Sequence, residues 1–511
     1  MSSPSDQSPE PLALSVNAGS SSLKISLYAV HSHEFVLGVD PVALLLTSSI
    51  SNISAPPAKF SFKVANADGI VSEQATDVKD EPVDSITDHA SAFAHFLDYL
   101  KQEANIDRER IQRICHRVVH GGNYSDPVII SDESFHHIER LSDLAPLHNG
   151  AALSVIKACI ANIPSAQSIA YFDTAFHRPM PAHISSYAIN QTIAKKRGLK
   201  KYGFHGLSYA FILRSVARHL EKLPSELNLI VLHLGSGASA CAIKEGKSLD
   251  TSMGLTPLNG LPGATRAGAI DPSLIFHYTN KAGKITHDRK SAVQLHVTEA
   301  EHILNTQSGW KALTGTTDFA QVTAKADLSS DPDYENNANR LAFDLLIDRI
   351  VDYVGGYYLK LNGEVDALVF SGGIGERSKE VRRVIGGKMA CLGFEAVDAE
   401  KNEGMDASEG VVVDLGAGRP DGEVVGKKGK KLLVCRTDEQ VMAASPLIEF
   451  VELTCASHPS NSWRWRGNAL WRRSSGTKFI YIIKGRLGRP LLERTVDYRI
   501  MDWLVFIITL Y

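Results

Sequence analysis

Residues Leu12 to Tyr28 read LALSVNAGSSSLKISLY. The apolar run Leu12, Leu14 and Val16 leads into Asn17-Ala18-Gly19-Ser20-Ser21-Ser22, and Leu23, Ile25 and Leu27 lead out again. Alternation on both sides of a small polar cluster spells strand, tight turn, strand. Small residues let backbone N–H groups and hydroxyls approach an anion closely, and Lys24 stands just past the turn. An ordinary hairpin accounts for this stretch equally well.

The chain then repeats itself. Leu227 to Ile243 reads LNLIVLHLGSGASACAI, an apolar strand, the turn Gly235-Ser236-Gly237-Ala238-Ser239, and a second apolar strand. A third turn, Ser371-Gly372-Gly373-Ile374-Gly375-Glu376, follows the apolar run Val365 to Phe370. Two like units set far apart predict two halves of one architecture. Three small-residue turns predict a cleft between those halves that grips a polyphosphate.

At 511 residues the chain has room for two to four domains and a large core. Its 44% apolar and 22% charged residues are those of an ordinary globular protein, and a net charge of −3 favours neither a nucleic acid nor a membrane as partner. The six cysteines have no metal-like spacing and read as small buried residues of a reducing compartment. MSSPSDQSPEP lacks a signal or transit pattern, so the expected location is the cytoplasm and residues 1–11 are expected to be a disordered leader.

Further along, residues 40–85 predict loops with short strands, and Phe93, Phe96, Leu97 and Leu100 predict a helix behind Thr87/Asp88. ICHRVVHGG (114–122) is an apolar strand carrying His116, Arg117 and His120, and a charge there needs a partner or a ligand. A structural ion pair is the plain alternative for Arg117. In Ala145-Pro146-Leu147-His148-Asn149, Asn149 is placed to cap the helix through Cys159. IAYFDTAFH (169–177) ends a strand with Asp173, which suits a catalytic carboxylate or an Asx-turn. His205 sits between glycine-bearing turns in YGFHGLSY, where a merely solvated ring is the commoner case. A long glycine-rich loop, Thr251 to Pro272, holds Arg266 at its centre. Residues 337–361 predict an amphipathic helix with Leu341, Leu345, Ile350 and Val354 on its apolar face. GEVVGKKGKK lacks the spacing of a phosphate-binding P-loop and reads as a solvated hairpin loop. From Ser445 the composition changes: four of five tryptophans and ten Lys/Arg against five Asp/Glu fall in residues 445–511. Neither period holds there, and a poorly packed extension is expected.

Taken in order, SVNAGSSSLK, HRVVHGG, APLHN, YFDTAFH, YGFHGLSY, HLGSGAS, GLPGATRAGAIDP, SGGIGER and TDEQ resemble the acetate kinase family over about residues 12–444. The resemblance implies an α/β duplicated actin-like (ribonuclease H-like) fold with a nucleotide cleft, an N-terminal domain at 12–200, a nucleotide-binding domain at 201–444, and a homodimer. It implies reversible phosphoryl transfer between ATP and acetate, giving ADP and acetyl phosphate, with Mg²⁺ or Mn²⁺. By the same resemblance Asn17 and Glu439 match metal-associated positions, Lys24 a phosphate contact, and Arg117 the carboxylate-binding arginine. Asp173 matches the active-site acid, His148 a further active-site histidine, and His205 and Arg266 transition-state stabilisers. His233, Leu234, Gly235, Ser236 and Gly237, together with Asp318, Gly373, Ile374, Gly375, Glu376 and Arg377, match the nucleotide contacts.

Three departures from the family pattern fall at the nucleoside end: Ser236 for the usual Asn, Arg377 for the usual Asn, and Thr316-Thr317-Asp318-Phe319-Ala320 without an arginine. They keep a pyrophosphate-using variant open beside ATP. Propionate or butyrate kinase differs only in the acyl pocket, where one methylene is worth about 1–3 kcal/mol. A non-catalytic nucleotide-binding homologue is the rival from another class, because Pro446 breaks the helix expected after the TDE motif.

Overall fold

The computed structural model describes residues 11–19, 21–30, 42–65, 70–72, 75–142, 146–278, 285–287, 296–405, 410–417 and 429–437, and four strands between 463 and 497. Residues 11–29 and 44–445 form one compact unit, and the four late strands belong to a second. The expected leader, Glu439, the region of Pro446 and most of GEVVGKKGKK lie outside the described residues.

The opening stretch is a hairpin of β1 (Leu12–Gly19) and β2 (Ser22–Val30), paired antiparallel with Asn17 opposite Lys24. β3 (Val42–Ser51), β4 (Ala58–Val64) and β5 (Val78–Val83) extend the sheet outward from β2. On the other side β1 pairs parallel with β6 (Ile111–Val118), which pairs parallel with β8 (Gln167–Phe172); β7 (Val128–Ile129) closes that edge. The second sheet follows the same plan. β9 (Leu229–Leu234) pairs antiparallel with β10 (Ala238–Lys244), and β10 with β11 (Lys247–Thr251). A separate hairpin, β12 (Ile285–His287) with β13 (His296–Thr298), intervenes. β14 (Ala367–Ser371) then joins β9 in parallel, and β16 (Lys431–Cys435) joins β14, with β15 (Val412–Asp414) at the edge. The strand orders 3-2-1-6-8 and 11-10-9-14-16 are one pattern used twice. This is the duplicated, actin-like α/β fold.

Strand periodicity explains why the central strands read as unbroken apolar runs. Ile230, Leu232, Leu368, Phe370, Leu432 and Val434 pack on one face of the second sheet, against the helix Ala338–Lys360. Leu229, Val231, Ala367, Val369, Leu433 and Cys435 pack on the other, with the helix Gly206–His219. Strands covered on both faces have no polar side to show, and each large side chain so buried is worth about 1.5–3 kcal/mol.

The helix His89–Gln102 begins with Asp88 and Ser91 in a capping box and buries Phe93, Phe96, Leu97 and Leu100, as their spacing predicts. The helix Ala338–Lys360 buries Ile350 and Val354, but Leu341 and Leu345 are only half-buried; Ala342, Phe343, Leu346 and Ile347 carry the inward face instead. Asn149 is not a cap. The helix already starts at Pro146, and the Asn149 amide accepts from His120 N at 3.0 Å and donates to His120 O at 3.0 Å, pinning the loop after β6.

In the second unit β17 (Trp463–Arg466), β18 (Ala469–Arg473), β19 (Lys478–Lys484) and β20 (Pro490–Asp497) form an antiparallel meander in sequential order. No strands are expected there from the sequence, because alternation holds for only a few residues at a time. WRWR and KFIYIIK are too short to stand out singly.

Candidate active site

Three parallel strands of the second sheet end side by side, and each hands its chain to a turn. β9 leads to Gly235-Ser236-Gly237, β14 to the short helix Gly372–Arg377, and β16 to Arg436-Thr437. Close approach explains Gly372: it has φ +73°, and a Cβ there would lie 2.6 Å from Leu234 O. Glu376 Oε1 accepts from Gly372 N (3.0 Å), Thr437 N (2.8 Å) and Thr437 Oγ1 (2.7 Å), so its carboxylate ties two of the turns together. The buried guanidinium of Arg382 holds the far side, donating to the carbonyls of Gly375 and Glu376 at 3.1 and 2.6 Å and to Asn402 Oδ1 at 2.7 Å. Arg377 and Gly373 are exposed and Ile374 is half-buried.

From the first sheet, β6 and β8 carry Arg117 and Asp173 to the same end. Asp173 lies one residue past β8, its side chain nearly fully buried. Its two oxygens accept from Arg117 Nε at 3.2 Å each, and Oδ2 also from Nη2 at 2.7 Å. Arg117 Nη1 donates to Asn17 Oδ1 at 3.3 Å. The Arg117 side chain stays 34% exposed. Lys24, opposite Asn17 on β2, is exposed.

The two sheets meet at His205. Gly206 N donates to Asp173 O at 2.9 Å, and a Cβ at Gly206 would stand 2.1 Å from that oxygen, so only glycine fits. This contact helps hold His205 at φ +60°, a left-handed conformation costing a non-glycine residue about 1–3 kcal/mol. The imidazole Nδ1 lies 2.8 Å from Ser239 Oγ on β10, and its ring centroid 4.6 Å from that of His233. Gly237 leaves the space in front of it open: a Cβ there would be 3.1 Å from Arg266 Nη1 and 3.7 Å from His205 Nε2. Burial, then the charges of His233, Arg117, Arg266 and His177, push the His205 pKa well below its ordinary value. Burial and the neighbouring Arg117 likewise lower Arg266, which remains cationic at neutral pH.

Asn17, Arg117, Asp173, His205, His233, the glycine turn 235–237 and Arg266 are therefore gathered together. Asp318 takes another part, capping the helix Phe319–Lys325 by accepting from Ala320 N at 3.0 Å. Its segment still touches the Arg266 loop, since Trp310 N donates to Gly263 O at 3.2 Å and Trp310 Nε1 to Thr317 O at 3.2 Å. His148 lies on the helix Pro146–Asn162, and its side chain, like Glu439, is outside the described residues. Arg382 is not marked by the sequence, whereas Ser239, Tyr209 and Thr437 stand inside the quoted stretches without a role of their own. Ser239 had one signal, a hydroxyl in an otherwise apolar strand, whereas nothing sets Arg382 apart from its neighbour Arg383.

Two halves of one topology, with glycine turns at the strand ends of one and an arginine held by an acid at the strand ends of the other, define an actin-like phosphotransferase. The chain belongs to the acetokinase family, whose sequence model matches residues 12–445. It is 48% identical over 436 residues to a probable acetate kinase of Emericella nidulans, covering 84% of this chain and 96% of that one. A probable acetate kinase of Chaetomium globosum is 46% identical over 465 residues, covering 86% and 98%. Among solved structures, a Porphyromonas gingivalis acetate kinase superposes with a TM-score of 0.67 at 29% identity, over 86% of this chain and 100% of that one. A propionate kinase from Francisella tularensis does so at 0.68 and 33%, over 85% and 98%.

Proposed function

We propose that the protein is an acetate kinase, transferring the terminal phosphoryl group reversibly between ATP and acetate. The observation that carries this reading is the gathering of cationic and donor groups at one point: Arg117 is held by Asp173 at the strand ends, and a Cβ at Gly237 would stand 3.1 Å from Arg266 Nη1 and 3.7 Å from His205 Nε2. Such a site favours a substrate pair that brings several negative charges. Acetate is ionised at neutral pH and needs no base to attack phosphorus. A carboxylate oxygen forms the new P–O bond while the bond to the ADP oxygen breaks, and ADP leaves with that electron pair. What remains for the protein is alignment and charge neutralisation in a loose, in-line transition state.

In this reading Arg117, aimed by Asp173, holds the acyl carboxylate, so Asp173 orients an arginine and removes no proton. Arg266 and His205 meet the equatorial oxygens of the phosphoryl group in flight. Backbone N–H groups of 235–237 and 372–375 cradle the nucleotide phosphates, and Lys24 reaches them from β2. Asn17 Oδ1 is a hard oxygen atom at the strand end, accepting from Arg117 Nη1 at 3.3 Å. One amide oxygen suits Mg²⁺, which keeps waters and phosphate oxygens as most of its ligands. When bound, the ion would offset phosphate charge, with Asn17 and Glu439 as the positions the resemblance associates with it. We assign the boundary between the two halves to about residue 200, and a homodimer in the cytoplasm, to this reading as well. Among the described residues no helix is long and apolar enough to cross a membrane.

The test is acyl phosphate formation by the purified chain with Mg²⁺, trapped as hydroxamate. Acetate with ATP is expected to turn over, and Arg117→Ala and Arg266→Ala each to lose about 10²–10³ in kcat/KM, the scale of removing one transition-state donor. Wild-type rates in either variant would overturn the residue assignment. Turnover with pyrophosphate and not ATP would overturn the donor. The resemblance to a propionate kinase structure supports a second acyl substrate, so propionate belongs in the same assay. An acetate preference below about tenfold would be within the reach of one methylene.

A further inference from the structure

Behind His205 runs a chain of hydroxyls. Ser239 Oγ lies 2.8 Å from His205 Nδ1 and also within hydrogen-bond distance of Tyr209 Oη. Ser239 and Tyr209 are both completely buried. Among the described residues, Ser239 is the sole hydrogen-bond partner of the Tyr209 hydroxyl. Tyr209 comes from the first turn of the helix that His205 precedes, and Ser239 stands opposite His233 in the β9–β10 ladder. The helix and β10 thus meet in a chain that ends on one imidazole nitrogen.

Proton accounting fixes the direction of the chain. Tyr209 and Ser239 own one hydroxyl proton each, and a neutral imidazole owns one ring proton. If Tyr209 donates to Ser239 Oγ and Ser239 donates to Nδ1, both buried hydroxyl protons meet an acceptor and the ring proton resides on Nε2, toward the gap a ligand would fill. Placing a proton on Nδ1, in either the neutral or the cationic ring, strands the Tyr209 or the Ser239 proton in a fully buried site. Leaving one buried donor unmet disfavours those arrangements by roughly 5- to 150-fold. Nε2 is the nitrogen that faces the gap at Gly237 beside Arg266.

We propose that Tyr209 and Ser239 are positioning residues that lock His205 as the neutral Nε2–H tautomer, so that it serves as a fixed hydrogen-bond donor to the phosphoryl group and not as an acid or base. The burial and surrounding cations that lower the His205 pKa act in the same direction: His233, Arg117, Arg266 and His177 are the charged and titratable groups around it. The role in transfer rests on the proposed phosphoryl position, whereas the tautomer does not.

Two measurements separate those parts. In full-length protein labelled with ¹⁵N-histidine, long-range ¹⁵N–¹H correlation reads each ring nitrogen, with His205 assigned from the signals lost in His205→Gln. A bare Nδ1 and a protonated Nε2 at pH 7.5 are expected; a protonated Nδ1 would overturn the proposal without any need for turnover. Kinetically, Tyr209→Phe and Ser239→Ala should lower kcat about fivefold or more, the scale of one buried hydrogen bond. Both KM values should hold within about twofold, and the acid limb of kcat should move to higher pH than in the wild type as Nδ1 becomes free to take a second proton. Ser239→Thr, which keeps the hydroxyl, should recover most of the loss. Wild-type kcat and pH profile in folded Tyr209→Phe would overturn the positioning role. A bare Nδ1 in a protein that forms no acyl phosphate would uphold the hydroxyl chain and overturn the function proposed above.

Discussion

Arg382 is among the largest side chains that the fold hides, at 1% exposure, and its guanidinium is spent on backbone carbonyls and an amide oxygen. Two of those carbonyls belong to Gly375 and Glu376 and the third to Asn402, so a buried cation stiffens the turn beside the strand ends. Truncation would leave the acceptors unmet in a dry site. Arg382→Ala is expected to cost about 3 kcal/mol or more, the scale of losing hydrogen bonds to a buried charged group, read from the urea midpoint. Arg382→Lys should recover little, because one ammonium cannot replace a fork that binds in several directions; full recovery would show that charge alone matters there. The contrast with Arg117 marks what a sequence reveals at this scale. Arg117, Asp173, His205 and Arg266 are polar groups at the ends of apolar runs or among glycines, where their cost demands a purpose. Arg382 and Tyr209 draw their meaning from partners 20 and 30 positions away, and no local pattern names those partners.

At the scale of elements, the union of the helix Gly206–His219 with the end of β8 is as tight as backbone allows. A methyl group at Gly206 would stand 2.1 Å from Asp173 O, far inside contact. Gly206→Ala must therefore push the helix start away from β8 and carry His205 with it. A loss of about 1–3 kcal/mol in stability, as for overpacked sites, is expected. A larger fall in kcat than in stability is also expected, because a shift of about 1 Å in positioning alone can cost 10²-fold. Unaltered turnover in Gly206→Ala would mean that His205 does not depend on this docking. The hairpins, the central strands and the capped helix at Asp88 were legible because period and capping chemistry are local. The inward face of the helix Ala338–Lys360 was less so, since a sheet that takes Phe343 and Leu346 decides which stripe turns inward. The end of β8 was legible too: the apolar run stops at Phe172, and Asp173 follows directly, its N–H still donating to Val118 O at 3.1 Å.

The whole molecule carries a pH signature in three histidines buried at the strand ends. Burial holds His116 down to about 3, and His120 and His177 to about 4, against an ordinary 6.5. His116 Nε2 pairs with Ser168 Oγ at 3.1 Å, and His120 Nδ1 accepts from Gly122 N at 3.1 Å. His177 reaches between the halves, Nδ1 to Ser248 Oγ at 2.7 Å and Nε2 to Phe204 O at 2.9 Å. All three rings are neutral in the folded chain down to about pH 4, whereas the unfolded chain takes up their protons near pH 6.5. The unfolded state thus binds more protons throughout that window. Stability from these groups is complete above pH 6.5 and is lost as pH falls toward 4, by up to about 4 kcal/mol per pH unit where all three differ. Urea midpoints measured at pH 7.5, 6 and 5 should fall steeply and together, and an equal midpoint at 7.5 and 5 would refute the account. His177→Gln, which keeps an amide donor and acceptor but cannot titrate, should flatten the curve by about a third of that slope. Because Ser248 lies on β11 and Phe204 beside His205, acid should loosen the join between the halves before it melts either sheet. Amide exchange at pH 5 should then accelerate first around Phe204 and Ser248, and last in β9 and β14, whose residues are sealed on both faces.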